Sequence, residues 1–205
     1  MSRHIGYLFI APAFIILFFT SIYPVAFSFY FSFFDWNWGN QENFIGLDNY
    51  LFLLTDPEFW TVIYNTFVFA SVSCFLEVTI GIILAIFVDR IVFCSTIIRT
   101  ILILPLMVSG IIVSMISKIM FNNLFGVIPY GLKQIDIRSS FFGSTEAAMP
   151  TLIGVDVWWQ TSFVFIIILA ALQGIPNDTV EAAKIDGASE WDITRFIRLP
   201  LIKPI

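Results

Sequence analysis

An all-α membrane protein, a polytopic bundle of four transmembrane helices, is the fold class this sequence predicts, and three observations predict it. The 205 residues are 59% hydrophobic and only 12% charged, with a mean hydropathy of +0.91, far more apolar than a soluble core requires. Four stretches are long and apolar enough to cross a hydrocarbon layer about 30 Å thick. About 20 helical residues suffice for that, and a helix satisfies its backbone polar groups internally. Basic residues gather at alternate ends of these stretches, as the positive-inside rule requires.

The first span, residues 5–34, is free of charge and interrupted by Pro12 and Pro24; it is too long for the apolar region of a cleavable signal peptide and reads as a retained helix. Residues 48–54 predict a short surface helix, with Leu47, Leu51 and Leu54 at helical spacing. The second span, residues 59–88, contains one acid, Glu77. An acidic side chain in lipid costs about 2.5–3.5 kcal/mol on insertion scales. Glu77 should therefore face protein or water, as a structural hydrogen-bonding group or as part of a solute path. The third span, residues 100–117, has no charge and is expected to be one helix about 27 Å long. Residues 122–150 read as an ordered connection that carries short helices, punctuated by Gly126, Pro129, Gly131, Gly143 and Pro150. The fourth span, residues 157–176, is entered through Trp158 and Trp159, a pair suited to a membrane interface. Asp156, Trp158 and Gln160 could instead meet a sugar, since aromatic faces and amides suit hydroxylated rings.

Between Asp35 and Glu58 there are five acids, Asp35, Glu42, Asp48, Asp56 and Glu58, and no Lys or Arg, whereas Arg3, Arg90 and Arg99 flank the opposite ends of the spans. The N-terminus is thus expected in the cytoplasm, and four crossings return the tail with Lys184, Arg195, Arg198 and Lys203 to the same side. Seven of the ten basic residues then lie inside; Lys118, Lys133 and Arg138 lie outside.

Several classes of chemistry are disfavoured. Cys74 and Cys94 have no CxxC spacing and read as small buried thiols, so neither a disulfide framework nor a zinc site is indicated. His4 is the single histidine, which disfavours a histidine triad or a multi-histidine metal site. No GxxxxGK[ST] loop occurs, so any ATP used must be bound by a partner. Asn177-Asp178-Thr179 fits a glycosylation sequon but falls on the cytoplasmic side.

Residues 177–200 predict a hairpin of two short helices. Asp178 and Glu181 have capping-box spacing, and Gly187 is placed to end the first helix in a left-handed conformation. Ser189 and Asp192 can open the second, which should end near Leu199 because Pro200 disfavours helical geometry before it. Helices of about two turns are marginal in water, so the hairpin requires a surface to dock on. Ala182, Ala183, Ile185, Trp191, Ile193, Phe196 and Ile197 offer apolar area for it.

This segment resembles the EAA loop of the permease subunits of ATP-binding-cassette (ABC) importers: Glu181-Ala182-Ala183, Gly187 after three more residues, then Ile197 and Leu199-Pro200. Asp186, Ala188 and Pro204 are similar to the carbohydrate-uptake branch, the maltose and glycerol-phosphate type. The likeness extends to Gly46-Leu47-Asp48-Asn49-Tyr50, Asn65-Thr66, Arg99, Leu104-Pro105 and Leu172-Gln173-Gly174-Ile175-Pro176.

The resemblance implies a multi-pass permease in a bacterial or archaeal cytoplasmic membrane, a single transmembrane domain over residues 1–205. In it Glu181, Ala182, Ala183, Asp186, Gly187, Ile197, Leu199 and Pro200 form the coupling element toward the ATPase. Implied partners are ABC ATPase subunits that bind ATP and Mg, a second permease subunit, an extracytoplasmic solute-binding protein and the bilayer. No nucleic acid, cofactor or catalytic residue is implied in this chain, and sugar import by alternating access is the expected activity, with Glu77, Trp158 and Gln160 as candidates for the path. Such permeases carry two further spans after the loop, so the chain reads as truncated there. Two alternatives stand beside import: a non-transporting fragment that still binds the ATPase, and a gradient-driven carrier, which would need a charged relay or inverted repeat.

Overall fold

The structure, a computed structural model, describes residues 3–37, 43–91, 94–135 and 141–203. Glu42, Arg138 and Pro204, used in the sequence reading, lie outside them. The chain is mostly helical and divides into two compact units, residues 1–65 and 66–205.

In the first unit, α1 (Arg3–Leu17) passes through a π turn, Phe18–Ile22, into α2 (Tyr23–Phe31). The π turn immediately precedes Pro24: the Tyr23 N–H reaches back to the Phe18 carbonyl, a wider turn that makes room for a ring that would otherwise clash with the preceding turn. A candidate span covers Phe9–Phe31, with none of its described residues buried, so its apolar surface calls for lipid or protein around it. A two-residue hairpin pairs β1 (Phe34–Asp35) with β2 (Asn43–Phe44), Phe34 opposite Phe44. The predicted surface helix is α3 (Asp48–Thr55). It is fastened to the end of α2 by Asn49 Nδ2, which donates to the carbonyls of Ser32 and Phe34 at 2.9 and 3.1 Å, and by a 2.6 Å hydrogen bond between Ser32 Oγ and Tyr50 OH. Gly46, at φ +59, supplies the left-handed turn that brings these groups round.

Helix α4 (Pro57–Arg90) has 34 residues and is therefore about 51 Å long, more than a bilayer core needs. In the second unit its face Ser73, Gly81, Ala85 and Val88 is buried. A Cβ on Gly81 would lie 2.6 Å from Val164 Cγ1 and 3.3 Å from the Phe165 backbone nitrogen, so glycine is what permits the close approach of α4 and α8 (Thr145–Gln173). Gly81 and Ala85 form a small-xxx-small pair, the device that brings helices together where lipid supplies no hydrophobic drive. The core is completed by Ala85, Val88, Phe165, Leu169, Leu172 and Ile202, all near one end of the helices.

Two span expectations are corrected. Residues 100–117 are not one rod: α5 (Ser95–Ile103) tightens into a 3₁₀ turn at Leu104–Met107, and α6 (Gly110–Met120) leaves at 93°. Pro105 has no N–H to continue the α-helical ladder, and Val108 and Ser109 are extended, with ψ 129 and 141. Among the described residues there are thus three helices long and apolar enough to cross a membrane, or four if the bent pair is one span. The last span starts twelve residues before residue 157, because Ser144 caps α8 by accepting from the Ala147 N–H at 3.2 Å. Trp158 and Trp159 therefore lie midway along α8 rather than at its start. A short helix, α7 (Val127–Lys133), occupies the connection before it. Both cysteines are free and exposed, not buried.

Candidate functional site

The chain leaves α8 through Gly174 and Pro176, whose ψ of 130 is extended, so α9 (Asn177–Ile185) begins at Asn177 with Pro176 as its cap residue. Asp178 is consequently the second helical residue and Glu181 the fifth; no side-chain cap forms, and the expected capping box of Asp178 with Glu181 is not made. Asp178 instead sits in the first turn, where its negative charge is favourable at the positive end of the helix dipole. Glu181 and Ala182 are exposed, Ala183 is half-buried, and none of the described residues of α9 is buried.

Gly187 adopts φ +83. Its N–H reaches the Lys184 carbonyl at 3.1 Å, and the Ala188 N–H reaches that of Ala183 at 3.0 Å, the paired bonds of a Schellman stop. Asp186 is the exposed C-cap. The second helix opens as expected: Ser189 Oγ accepts from the Asp192 N–H at 3.2 Å, and the Asp192 carboxylate accepts from the Ser189 N–H at 3.1 Å. It does not stop at Leu199. α10 (Glu190–Ile193) continues through a π turn, Thr194–Arg198, into α11 (Leu199–Ile202). The Leu199 N–H bonds the Thr194 carbonyl, and the widened turn admits Pro200 just as the one at residues 18–22 admits Pro24. Ile193 is fully buried and so belongs to the interior, not to the docking surface expected of it. Ile185, Trp191 and Phe196 remain exposed, with Arg195 stacked 5.4 Å over Phe196. Ile197 and Leu199 are half-buried, and Leu199 packs against the core.

Through-space contacts that no local pattern announces tie this hairpin to the end of α4. Glu190 accepts from Lys184 Nζ at 3.0 Å and lies 3.9 Å from Arg90 Nε and 3.7 Å from Arg198 Nη1. Arg90 also donates to the Glu190 carbonyl at 3.2 Å and to Thr194 Oγ1. Arg198 pairs with Asp89 at 3.7 Å, both largely covered. Nearby, the Gln173 amide, its oxygen turned toward Arg99, accepts from both guanidinium Nη atoms at 3.0 and 3.1 Å.

The Lys184 hydrogen bond, opposed by desolvation and reinforced by the Lys184, Arg198 and Arg90 charges, holds the Glu190 carboxyl below its ordinary value of 4.5. Hydrogen bonds from the Ser189 hydroxyl and N–H similarly hold Asp192 below 3.8. A depressed carboxyl pKa stabilises the fold above the ordinary value and ceases to do so as pH falls through the folded-state value. Protection factors for hydrogen exchange across residues 177–200 in detergent, the rates corrected for the intrinsic pH dependence of amide exchange, are therefore expected to be equal at pH 7 and about pH 5.5 and to fall only below the ordinary carboxylate values. A loss of protection already between pH 7 and 5.5 would contradict it.

The other expected site residues are not gathered in one pocket. Glu77 of α4 lies close to Asp156 of α8, so it is not an isolated acid. Trp158 lines two cavities, of about 270 and 370 Å³, whereas Glu77 and Gln160 line neither. Trp159 clamps the break between α5 and α6: its Nε1 donates to the Val108 carbonyl at 3.1 Å, and its ring lies where a Cβ on Gly110 would sit, 2.9 Å from Cη2.

Residues 77–205 match the family described as "Binding-protein-dependent transport system inner membrane component". The chain belongs to that family. As one of its members it is a multi-pass inner-membrane permease subunit of a prokaryotic ABC importer, of the carbohydrate type, and such permeases are non-catalytic and bind no cofactor themselves. It is 36% identical over 198 residues to the probable starch degradation products transport system permease protein AmyD of Thermoanaerobacterium thermosulfurigenes, covering 97% of this chain and 68% of that permease. It is 33% identical over 203 residues to the trehalose/maltose transport system permease protein MalF of Thermococcus litoralis, covering 98% and 69%. Among solved structures, a chain of the bacterial alginate ABC transporter, in complex with an alginate pentasaccharide-bound periplasmic protein, superposes with a TM-score of 0.84 at 26% identity, over 98% of this permease and 67% of that chain. This permease thus spans about two thirds of the length of these relatives.

Proposed function

We propose that this chain contributes to the path by which an ATP-driven importer moves a sugar or sugar-like solute inward by alternating access, and that α9 with its stop, residues 177–187, receives the ATPase. The observation that carries the reading is the form of α9: a helix joined closely to the end of α8, ended by a Schellman turn, with no described residue buried. A short helix left bare on its own chain is stable when a partner covers it. Glu181, Ala182, Ala183, Asp186 and Gly187 would form the face against the ATPase, with Ile197, Leu199 and Pro200 seating the hairpin on the spans. The charge distribution supports a cytoplasmic N-terminus and loop. The partners are then a pair of ATPases, a second permease and a binding protein that delivers solute from outside; the relative solved with a loaded periplasmic protein supports the last of these. ATP can drive the change only by favouring one conformation over another.

The test is co-expression with the neighbouring transport genes, purification in mild detergent, and uptake in proteoliposomes. Wild-type chain is expected to bring down an ATPase and a second permease. Glu181→Lys is expected to lower ATP-driven uptake by about ten-fold, the effect of about 1.4 kcal/mol. Undiminished uptake by that variant would refute the assignment of α9, and uptake driven by a proton gradient without ATP would replace the reading with a carrier.

A further inference from the structure

The loop hairpin has two unequal halves. In the second, Ile193, Thr194 and Ile202 are buried, with 0, 3 and 5% of their surface exposed, so it moves with the spans it packs on. In the first, none of the described residues of α9 is buried, and its covalent link to α8 is a three-residue turn, Gly174 to Pro176. A displacement applied to α9 would bend that link unless something joins the helix to the packed half.

That junction is one carboxylate. Glu190 opens α10, one residue after the Ser189 cap, and its two oxygens face cations from three elements: Lys184 of α9, Arg90 at the end of α4, and Arg198 of the turn before α11. A lone half-exposed ion pair contributes little, but this one is backed by groups that cannot drift. Arg90 also holds the Glu190 carbonyl and the buried Thr194 hydroxyl, and Arg198 is braced by Asp89 of α4. Without the Glu190 charge, Lys184, Arg90 and Arg198 would face one another around Asp89 alone, and like charges would push α9 away from α4.

Building on the function proposed above, we propose that Glu190 is a positioning residue that locks α9 to the end of α4, so that a movement imposed on α9 reaches α4 as well as α8. It acts through Lys184 and Arg90 and does not itself form the face offered to the ATPase.

The experiment compares wild type, Glu190→Gln, Glu190→Asp and Lys184→Gln in the complete transporter in proteoliposomes. It measures recovery of the ATPase, basal ATP hydrolysis and uptake per ATP hydrolysed, and the change in distance on adding ATP between a spin label on α9 and one at the end of α4. Glu190→Gln is expected to keep ATPase recovery and basal hydrolysis while uptake per ATP falls about five-fold or more, the lower range of coupling between sites. The label on α9 should then move relative to α4, where in wild type the two move together. Glu190→Asp, which keeps the charge, is expected to restore most of the coupling. Lys184→Gln should reproduce the loss, and it decides the matter if Glu190→Gln does not assemble. Wild-type uptake per ATP in Glu190→Gln, or in Lys184→Gln where the former does not assemble, overturns the inference while leaving the proposed function standing. Loss of ATPase recovery in an assembled Glu190→Gln overturns it too, by placing Glu190 in docking. A wild-type chain without ATP-driven uptake overturns the proposed function itself, and the inference with it.

Discussion

Gly187→Val is expected to abolish most ATP-driven uptake, while Gly187→Asn leaves most of it intact. Gly187 sits at φ +83, and nothing lies within 4 Å of where its Cβ would be, so a side chain there meets no steric wall. The penalty is purely conformational. An L-residue in the left-handed region costs about 1–2 kcal/mol, and a β-branched one is disfavoured further, whereas asparagine is tolerated at this position of a helix stop. Valine would therefore break the bonds from Gly187 to Lys184 and from Ala188 to Ala183, letting α9 unwind and Lys184 leave Glu190. A shift of about 2 kcal/mol changes the ratio of ordered to disordered loop roughly 30-fold. Uptake in proteoliposomes, together with limited proteolysis of residues 177–200, checks the expectation. Equal loss in both variants would show that the site needs glycine for partner contact rather than for its backbone angle.

The second large effect is expected at Gly81. Its missing side chain lets α4 lie against Val164 and the backbone of Phe165, and a Cβ would come within 2.6 and 2.8 Å of Val164 side-chain atoms. Turning Val164 about χ1 moves its Cγ1 but not its Cβ, so even alanine requires the helices to part slightly, and leucine, with three more carbons beyond the same contacts with Val164 and the Phe165 nitrogen, requires more. Gly81→Leu should cost at least the roughly 1–3 kcal/mol typical of overpacking, separating Ala85 and Val88 from Phe165. Thermal unfolding in detergent is expected to shift clearly downward, with part of the loss recovered by Val164→Ala. An unchanged melting temperature would mean that α4 and α8 do not pack closely at this point.

Much of this could be read from neighbouring residues. Gly187 as a left-handed stop and Ser189 with Asp192 as a capping box are signals carried within a few residues, because the bonds they make are local. The apolar stretches around residues 9–31 and 57–90 also declare themselves, since span length is a property of composition. Ser144 ahead of Ala147 could have moved the start of α8, and Gly81 with Ala85 could have marked the contact face of α4; both patterns are short and easily hidden in an apolar run. The Asp178 box failed because Pro176 starts the helix earlier, leaving Asp178 inside it.

The prolines divide what the sequence by itself determined from what only the tertiary structure decided. Each removes the same backbone donor and imposes the same ring, and the sequence places them without ambiguity. Yet Pro12 and Pro150 lie inside continuous helices, Pro24 and Pro200 follow π turns that keep the chain helical, and Pro105 accompanies a 93° break. Local sterics require only that one hydrogen bond be given up. Whether the helix widens, continues or turns depends on what packs there, and at the break beyond Pro105 that includes Trp159 on the Val108 carbonyl, 51 residues away in sequence. The same holds for Arg90 and Glu190, separated by 100 positions. Membrane residence, helix content and the caps follow from residues near one another in the chain. The bend of the broken segment and the lock on α9 arise from groups that meet only after the helices have assembled.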